Sequence, residues 1–188
     1  MIRAARELDL PAIATITNHY VSATTIHFAY EPVPVDEFRA MWLRRDRHPW
    51  LVADGESGVV GYAKAGVWRD RAAYAWTSEI GVYVAPDAHR QGVARALYTE
   101  LLGELEGRGF RSVIAGITLP NDASIALHRA FGFVSVGTVR DAGYKFDERR
   151  ESRGWGPRRL ARRGGAQPRG IDRWHDVEFW QKPLGPRP

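Results

Sequence analysis

The run from Ile80 to Leu105 restricts what this chain can fold into more than any other stretch. It opens with the apolar, largely β-branched segment Ile80-Gly81-Val82-Tyr83-Val84. A loop follows from Ala85 to Ala94. A helical pattern then places apolar residues at Val93, Leu97, Tyr98, Leu101, Leu102 and Leu105. A strand, a basic loop with a glycine and a helix start, in that order, present unpaired backbone N–H groups and the positive end of a helix dipole to an anion. Gly92 permits close backbone approach, and Arg90 and Arg95 add charge. The stretch is therefore read as a pyrophosphate cradle, with Arg90, Gln91, Gly92, Val93, Ala94 and Arg95 wrapping a diphosphate. A solvated basic loop is the plainer alternative.

The flanking patterns predict an α/β fold with a mixed sheet. Ile2 to Ala5 reads as a strand, and Asp9 as the cap of a helix through Ile13, Ile16 and Tyr20. A second helical pattern starts at Pro34, with Phe38, Met41 and Trp42 on one face. Trp50 to Ala53 and Val59 to Trp68 read as strands joined by a turn at 54–58, and Tyr74 to Val84 as a third strand. After the helix that ends near Gly107 or Gly109 come a strand from Ser112 to Ile117, parallel to its predecessor, a helix from Ala123 to Phe131, and strands over Val134–Asp141 and Val177–Gln181.

Charge narrows the partners. The formal net charge of +5 resides in residues 147–173, which hold nine arginines and four acids; the remainder balances at 18 basic and 18 acidic residues. The high pI therefore says nothing about nucleic-acid affinity of the folded core. Residues 147–172 read as an exposed Arg/Gly-rich insertion within a single domain spanning 1–188. An Arg-rich arm that binds RNA or an acidic partner is the alternative. The absence of cysteine excludes disulfides, thiolate metal sites and a cysteine nucleophile, and fits the cytoplasm. The six histidines show no paired ligand spacing, so no metal is expected. No signal-peptide run or membrane-spanning run is apparent, so no membrane partner is expected.

The element His89-Arg90-Gln91-Gly92-Val93-Ala94, between strand and helix, resembles the signature of the GNAT superfamily of acetyl-CoA-dependent N-acetyltransferases. His89 stands where Gln or Arg is usual. The later element from Asn121 to Phe133 also fits, with His128 where many members carry Tyr. Within that superfamily the chain resembles the phosphinothricin N-acetyltransferase group of amino-acid acetylating enzymes. The matching stretches are Thr17-Asn18-His19-Tyr20, Pro49-Trp50-Leu51-Val52-Ala53, Ala73 to Glu79, Leu119-Pro120-Asn121-Asp122, Ala142-Gly143-Tyr144-Lys145 and Trp174 to Gln181. The resemblance covers 2–146 and 173–183, and the segment 147–172 departs from the family's pattern.

The resemblance implies a GNAT fold, a twisted mixed antiparallel/parallel sheet flanked by helices, that moves an acetyl group from acetyl-CoA to the amine of a small amino-acid-like acceptor. Glu79 is then the expected general base, since an amine must be unprotonated to attack. His128 is the second expected catalytic residue, as acid or base; a buried, hydrogen-bonded histidine is the plainer alternative. Backbone groups of Val82, Tyr83, Val84 and Ala85 would hold the pantetheine. Asn121 would contact the coenzyme, cap its helix, or both. Phe28, Arg71, Tyr74 and Trp76 would line the acceptor pocket, with Arg69 a rival to Arg71 for an anionic group. A homodimer is also implied. A non-catalytic acyl-CoA-binding regulator on the same fold is the remaining alternative.

Overall fold

The computed structural model describes residues 1–146 and 172–185. The strands are β1 (Ile2–Ala4), β2 (Trp50–Gly55), β3 (Gly58–Val67), β4 (Thr77–Val84), β5 (Ser112–Thr118), β6 (Val134–Phe146) and β7 (Asp172–Pro183). The helices are α1 (Leu10–Ala23), α2 (Val35–Leu43), α3 (Val93–Gly107) and α4 (Asp122–Ala130). One seven-stranded sheet has the order β1-β2-β3-β4-β5-β7-β6. The β4–β5 pair is parallel and the other pairs are antiparallel. The α/β fold with a mixed sheet is as the pattern predicts.

Strand alternation divides the core into two layers. Leu51, Ala53, Ala63, Ala65 and Ile80 face one side and pack under Leu97, Leu101 and Leu105 of α3, and this layer continues to Phe133 and Trp180. Trp50, Val52 and Tyr62 face the other side, against Ile13, Ile16 and Tyr20 of α1 and Phe38 of α2. The first turn of α3 lies so close to β3 that a Cβ on Gly61 would come within 2.9 Å of Val93 Cγ1 and 3.1 Å of the Tyr83 carbonyl. The helix carrying the expected cradle is thus seated directly on the sheet.

The parallel ladder is short. Thr77, Ser78 and Glu79 are in register with Ser112, Val113 and Ile114, and no residue of β4 beyond Glu79 has a registered partner on the β5 side. On its other side β4 remains paired with β3 up to Val84. The sheet therefore splits after Glu79 and leaves half of β4 with one open edge.

Several boundaries differ from expectation for local reasons. Asp9 does not cap α1 with its side chain. Its carboxylate takes two bonds from Arg3, at 2.6 and 2.9 Å, and one from the Arg6 N–H at 2.7 Å. β4 starts at Thr77 rather than Tyr74, because residues 72–74 form a single 3₁₀ turn. Pairing with the neighbouring strand begins where the Trp76 carbonyl accepts the Arg111 and Ser112 N–H groups. β6 and β7 are longer than expected and pair as far as Phe146 with Asp172, crossing two register shifts at Ser135/Gly137 and Val139/Gly143. The insertion expected at 147–172 lies, but for Asp172, outside the described residues.

Candidate active site

Glu79 is the last residue of β4 before the split. Period two places it on the same face as Gly81 and Tyr83, and the β3 register puts Gly66 beside Glu79 and Lys64 beside Gly81. These residues line a cleft of about 480 Å³ that opens beside the C-terminal end of α2 and also touches Gly116 of β5. The Glu79 residue is solvent-exposed, yet the surrounding protein displaces enough water to raise its pKa above the ordinary carboxylate value, against the attraction of Lys64 and Arg69. That is the direction a general base acting on an amine requires.

The open edge of β4 is specific about which backbone groups it offers. Ala85 N–H bonds the Val60 carbonyl at 2.8 Å, so by alternation Tyr83 and Ala85 turn their backbones to β3, while Val82 and Val84 turn theirs to the split. The Val84 carbonyl is already occupied. It accepts the Tyr20 hydroxyl at 2.6 Å and lies 3.1 Å from His89 Nε2. Val82 and the Val84 N–H therefore remain for a ligand laid along the strand, and Tyr83 and Ala85 do not join them through the backbone as expected.

The loop at the end of β4 has the geometry of a cradle. Arg90 has φ 62° and Gly92 has φ 80°, so the chain twists through the left-handed region twice before α3 begins. No described side chain caps α3. Its first intrahelical bond runs from Ala96 N–H to the Gly92 carbonyl at 3.0 Å, which leaves the N–H groups of Val93, Ala94 and Arg95 without helical partners. Nothing lies within 4 Å of a Cβ built on Gly92. An open, uncapped helix start between two exposed arginines fits a diphosphate. The start of α4 differs, because Asn121 Oδ1 accepts the Ser124 N–H at 3.1 Å and caps that helix itself.

His128 sits elsewhere. It is 3% exposed. Its Nδ1 donates to the Ser124 carbonyl at 2.7 Å, so Nε2 is the bare nitrogen that accepts the Tyr98 hydroxyl at 3.0 Å. Phe133 packs edge-on at 5.0 Å, and burial lowers the pKa and keeps the ring neutral. Both nitrogens are in use, and the ring is not among the residues lining the Glu79 cleft.

The expected acceptor residues are only partly brought together. Arg71 and Tyr74 are exposed on the 71–76 loop. Trp76 lies under the Arg47 guanidinium at 4.2 Å, beside Gly109 at the far end of α3. None of the three lines the cleft. Arg69 is the arginine near enough to act on Glu79, and it stacks over Trp68 at 4.8 Å. Trp68 in turn meets Phe179 of β7 edge-on at 5.7 Å. Phe28 is half-buried against His175 at 6.3 Å, and a Cβ on Gly143 would overlap its ring at 2.2 Å. Lys64, Trp68 and Phe179 were not singled out in the sequence. The signal for the first two is alternation, since 64, 66 and 68 share a face.

The segment carrying Phe28 is fastened by β6. Lys145, 1% exposed, donates from Nζ to the carbonyls of Val21 at 2.6 Å, Thr24 at 2.9 Å and His27 at 2.6 Å. The ammonium thus satisfies carbonyls that the end of α1 leaves open. Tyr30 donates its hydroxyl to the Tyr144 carbonyl next door. Lys145→Met strands these carbonyls, and we expect a loss of about 3 kcal/mol, read as a fall in Tm of roughly 10 °C. A Tm within about 2 °C of wild type would contradict this.

A sheet split beside a carboxylate, ending in a helix start with no described side-chain cap, offers an elongated anionic ligand a backbone edge, free N–H groups and a base side by side. The chain belongs to the Acetyltransferase (GNAT) family, whose profile matches residues 13–133. It is 42% identical over 192 residues to the phosphinothricin N-acetyltransferase of Streptomyces viridochromogenes, covering 100% of this chain and 91% of that one. It is 35% identical to the L-methionine sulfoximine/L-methionine sulfone acetyltransferase of Salmonella typhimurium, over 77% of this chain and 86% of that one. Among solved structures, the phosphinothricin acetyltransferase of Sinorhizobium meliloti in complex with acetyl-CoA superposes with a TM-score of 0.80 at 32% identity, covering 98% of this chain and 88% of that one. The protein is an acetyltransferase with acetyl-CoA as donor.

Proposed function

We propose that this enzyme acetylates the α-amine of a small amino acid of the phosphinothricin or methionine sulfoximine/sulfone type. The observation that carries this is Glu79, held at the point where β4 loses its neighbour. The acetyl thioester supplies the acyl group, and the chain supplies the rest. Val93, Ala94 and Arg95 offer N–H groups to the diphosphate, and Val82 and Val84 offer backbone groups along the pantetheine. Glu79 takes the proton from the acceptor's ammonium, directly or through one water, and frees the nitrogen lone pair for attack on the thioester carbonyl. An N–H on the open edge of β4 stabilises the oxygen that becomes negative. The nitrogen–carbon bond forms, the carbon–sulfur bond breaks, and the second proton that the nitrogen sheds goes to the departing thiolate, leaving the amide and the free thiol.

His128 is placed second. Neutral, with both nitrogens bonded, it acts as a positioning residue that holds the Tyr98 hydroxyl and the Ser124 carbonyl in the core beside α3. The names of the relatives support the substrate class. We also read the enzyme as a homodimer, because Val134, Val136 and Val139 leave apolar surface exposed on the sheet-edge strand β6, and as cytoplasmic, in keeping with a sequence free of cysteine.

Thiol release across amino acids and their phosphinate and sulfoximine analogues tests the function. Turnover is expected with at least one member; acetyl-CoA binding without turnover on any amine would favour a regulator and contradict the proposal. The pH profile tests the base. Glu79 must be ionised to accept a proton and its pKa is raised, so kcat/KM should fall with decreasing pH along a limb lying above the range of an ordinary glutamate. Glu79→Gln should erase that limb. A limb that survives the substitution assigns the titration to another group.

A further inference from the structure

The cleft contains a cation without an ionic partner among the described residues. Lys64 lines it and lies half-buried on β3, and its ammonium makes no hydrogen bond or ion pair with any described residue. Its Nζ sits 5.4 Å from the centre of the Trp50 ring. Glu79 acts on it only at longer range. An ammonium drawn out of water without a counter-ion is unfavourable, and native chains keep such a group where something completes it.

The other charges around it do not. His27, packed 6.3 Å from Tyr83, accepts the Ala29 N–H on Nδ1 at 3.1 Å, and burial together with Lys64 and Lys145 pushes its pKa down to about 4, so it stays neutral. Lys145 is spent on backbone carbonyls. Arg45 bonds the Trp42 carbonyl and stacks on that ring. Glu79 is the single acid among the described residues of the lining.

Register gives the spacing of the two charges. Lys64 stands opposite Gly81 and Glu79 opposite Gly66, so the pair is diagonal on one face of two antiparallel strands, about 7–8 Å apart at the backbone. An α-amino acid carries an amine and a carboxylate on one carbon. Laid between the two side chains, it meets a carboxylate with its amine and an ammonium with its carboxylate.

We propose that Lys64 is the anchor for the acceptor's α-carboxylate, which sets the enzyme's preference for amino acids over simple amines and fixes the amine against Glu79. This rests on the acetyl-transfer function above and names a residue outside the expected set of Phe28, Arg71, Tyr74 and Trp76, with neither Arg71 nor its rival Arg69 as the anchor.

The test compares Lys64→Gln and Lys64→Arg with wild type on an amino acid and on its carboxamide, at saturating acetyl-CoA. Taking the variant-to-wild-type ratio for each acceptor removes the intrinsic difference between the two amines. Lys64→Gln should raise the KM for the acid about 10- to 100-fold and that for the amide less than about threefold, with the KM for acetyl-CoA unchanged. Lys64→Arg should recover most of the loss. Equal losses on acid and amide, or no loss on either, would overturn the assignment. So would a variant whose only change is a displaced acid limb, since that makes Lys64 a tuner of Glu79 alone. A measurement on the wild-type protein is independent of whether the variants fold: the Lys64 side-chain NMR resonance should move on addition of the acid and ignore the amide, and a resonance that ignores both also overturns the proposal. If wild type turns over no amine at all, the function fails; if it turns over acid and amide and Lys64→Gln treats them alike, only the anchor fails.

Discussion

Glu79→Gln should lower kcat roughly a hundred- to a thousandfold while acetyl-CoA binds as in wild type. The acceptor's α-amine has a pKa near 8 or above and is mostly protonated at neutral pH, so the reaction needs a group that accepts the proton as the nitrogen attacks. Glutamine has the same shape and cannot accept it. Glu79 is exposed and its carboxylate makes no hydrogen bond with a described residue, so the substitution removes no structural side-chain contact and Tm should stay within about 2 °C. The deficit should also shrink as pH rises and the free amine becomes abundant. Thiol release, a thermal melt and a binding isotherm for acetyl-CoA together check the claim. A variant with near-wild-type kcat at pH 7 would remove Glu79 from the mechanism. His128→Ala gives the contrasting pattern: it breaks bonds to Ser124 and Tyr98 in the core, so it should lower Tm together with kcat.

Gly92→Val should raise the KM for acetyl-CoA at least about tenfold and leave the KM for the acceptor nearly unchanged. A Cβ at this position meets nothing within 4 Å, so the effect is not a clash. It comes from φ 80°, which a β-branched residue adopts only at a cost of about 1–2 kcal/mol. The chain relieves that strain by turning the peptide, which swings the N–H groups entering α3 away from where they converge. Each charge-assisted bond lost to a phosphate oxygen weakens binding further. Gly103→Ala is the control. It lies within α3, has open space around its Cβ, and should raise Tm slightly through helix propensity without touching either KM. If both variants behaved alike, the cradle would not depend on the left-handed turn.

The strand, the glycine loop and the helix of the proposed cradle were legible in the sequence because each leaves a local signature. Glu79 stands out through resemblance and position, but its place at the split of the sheet is not legible in the sequence. The split of β4 from β5 is a property of the sheet: β5 pairs with β7 along its length and with β4 only at Thr77 to Glu79. Nothing local in residues 80–84 marks that loss of a partner. The division of backbone groups between Val82/Val84 and Tyr83/Ala85 follows from register with β3, which one strand's composition does not contain. Lys64 went unnoticed because a lysine in a strand usually means a solvated face. Only the packing of α1 and α2 on that side of the sheet encloses it. The long β6–β7 hairpin was underestimated because Asp141-Ala142-Gly143 has poor strand propensity, and long-range pairing overrides it. Trp76 has the composition of an acceptor-pocket wall, yet a cation on Arg47 and the turn at Gly109 draw it to the opposite end of β4.

Amide hydrogen exchange on the full chain, with and without acetyl-CoA, tests the central claim most directly. If a strand-to-helix junction grips the donor's diphosphate and the open half of β4 holds its arm, protection should appear at Val93 to Arg95 and at Val82 and Val84, with Tyr83 and Ala85 slow in both states because β3 already bonds them. Protection that appears elsewhere while Val82, Val84 and the start of α3 exchange as freely as before would contradict it.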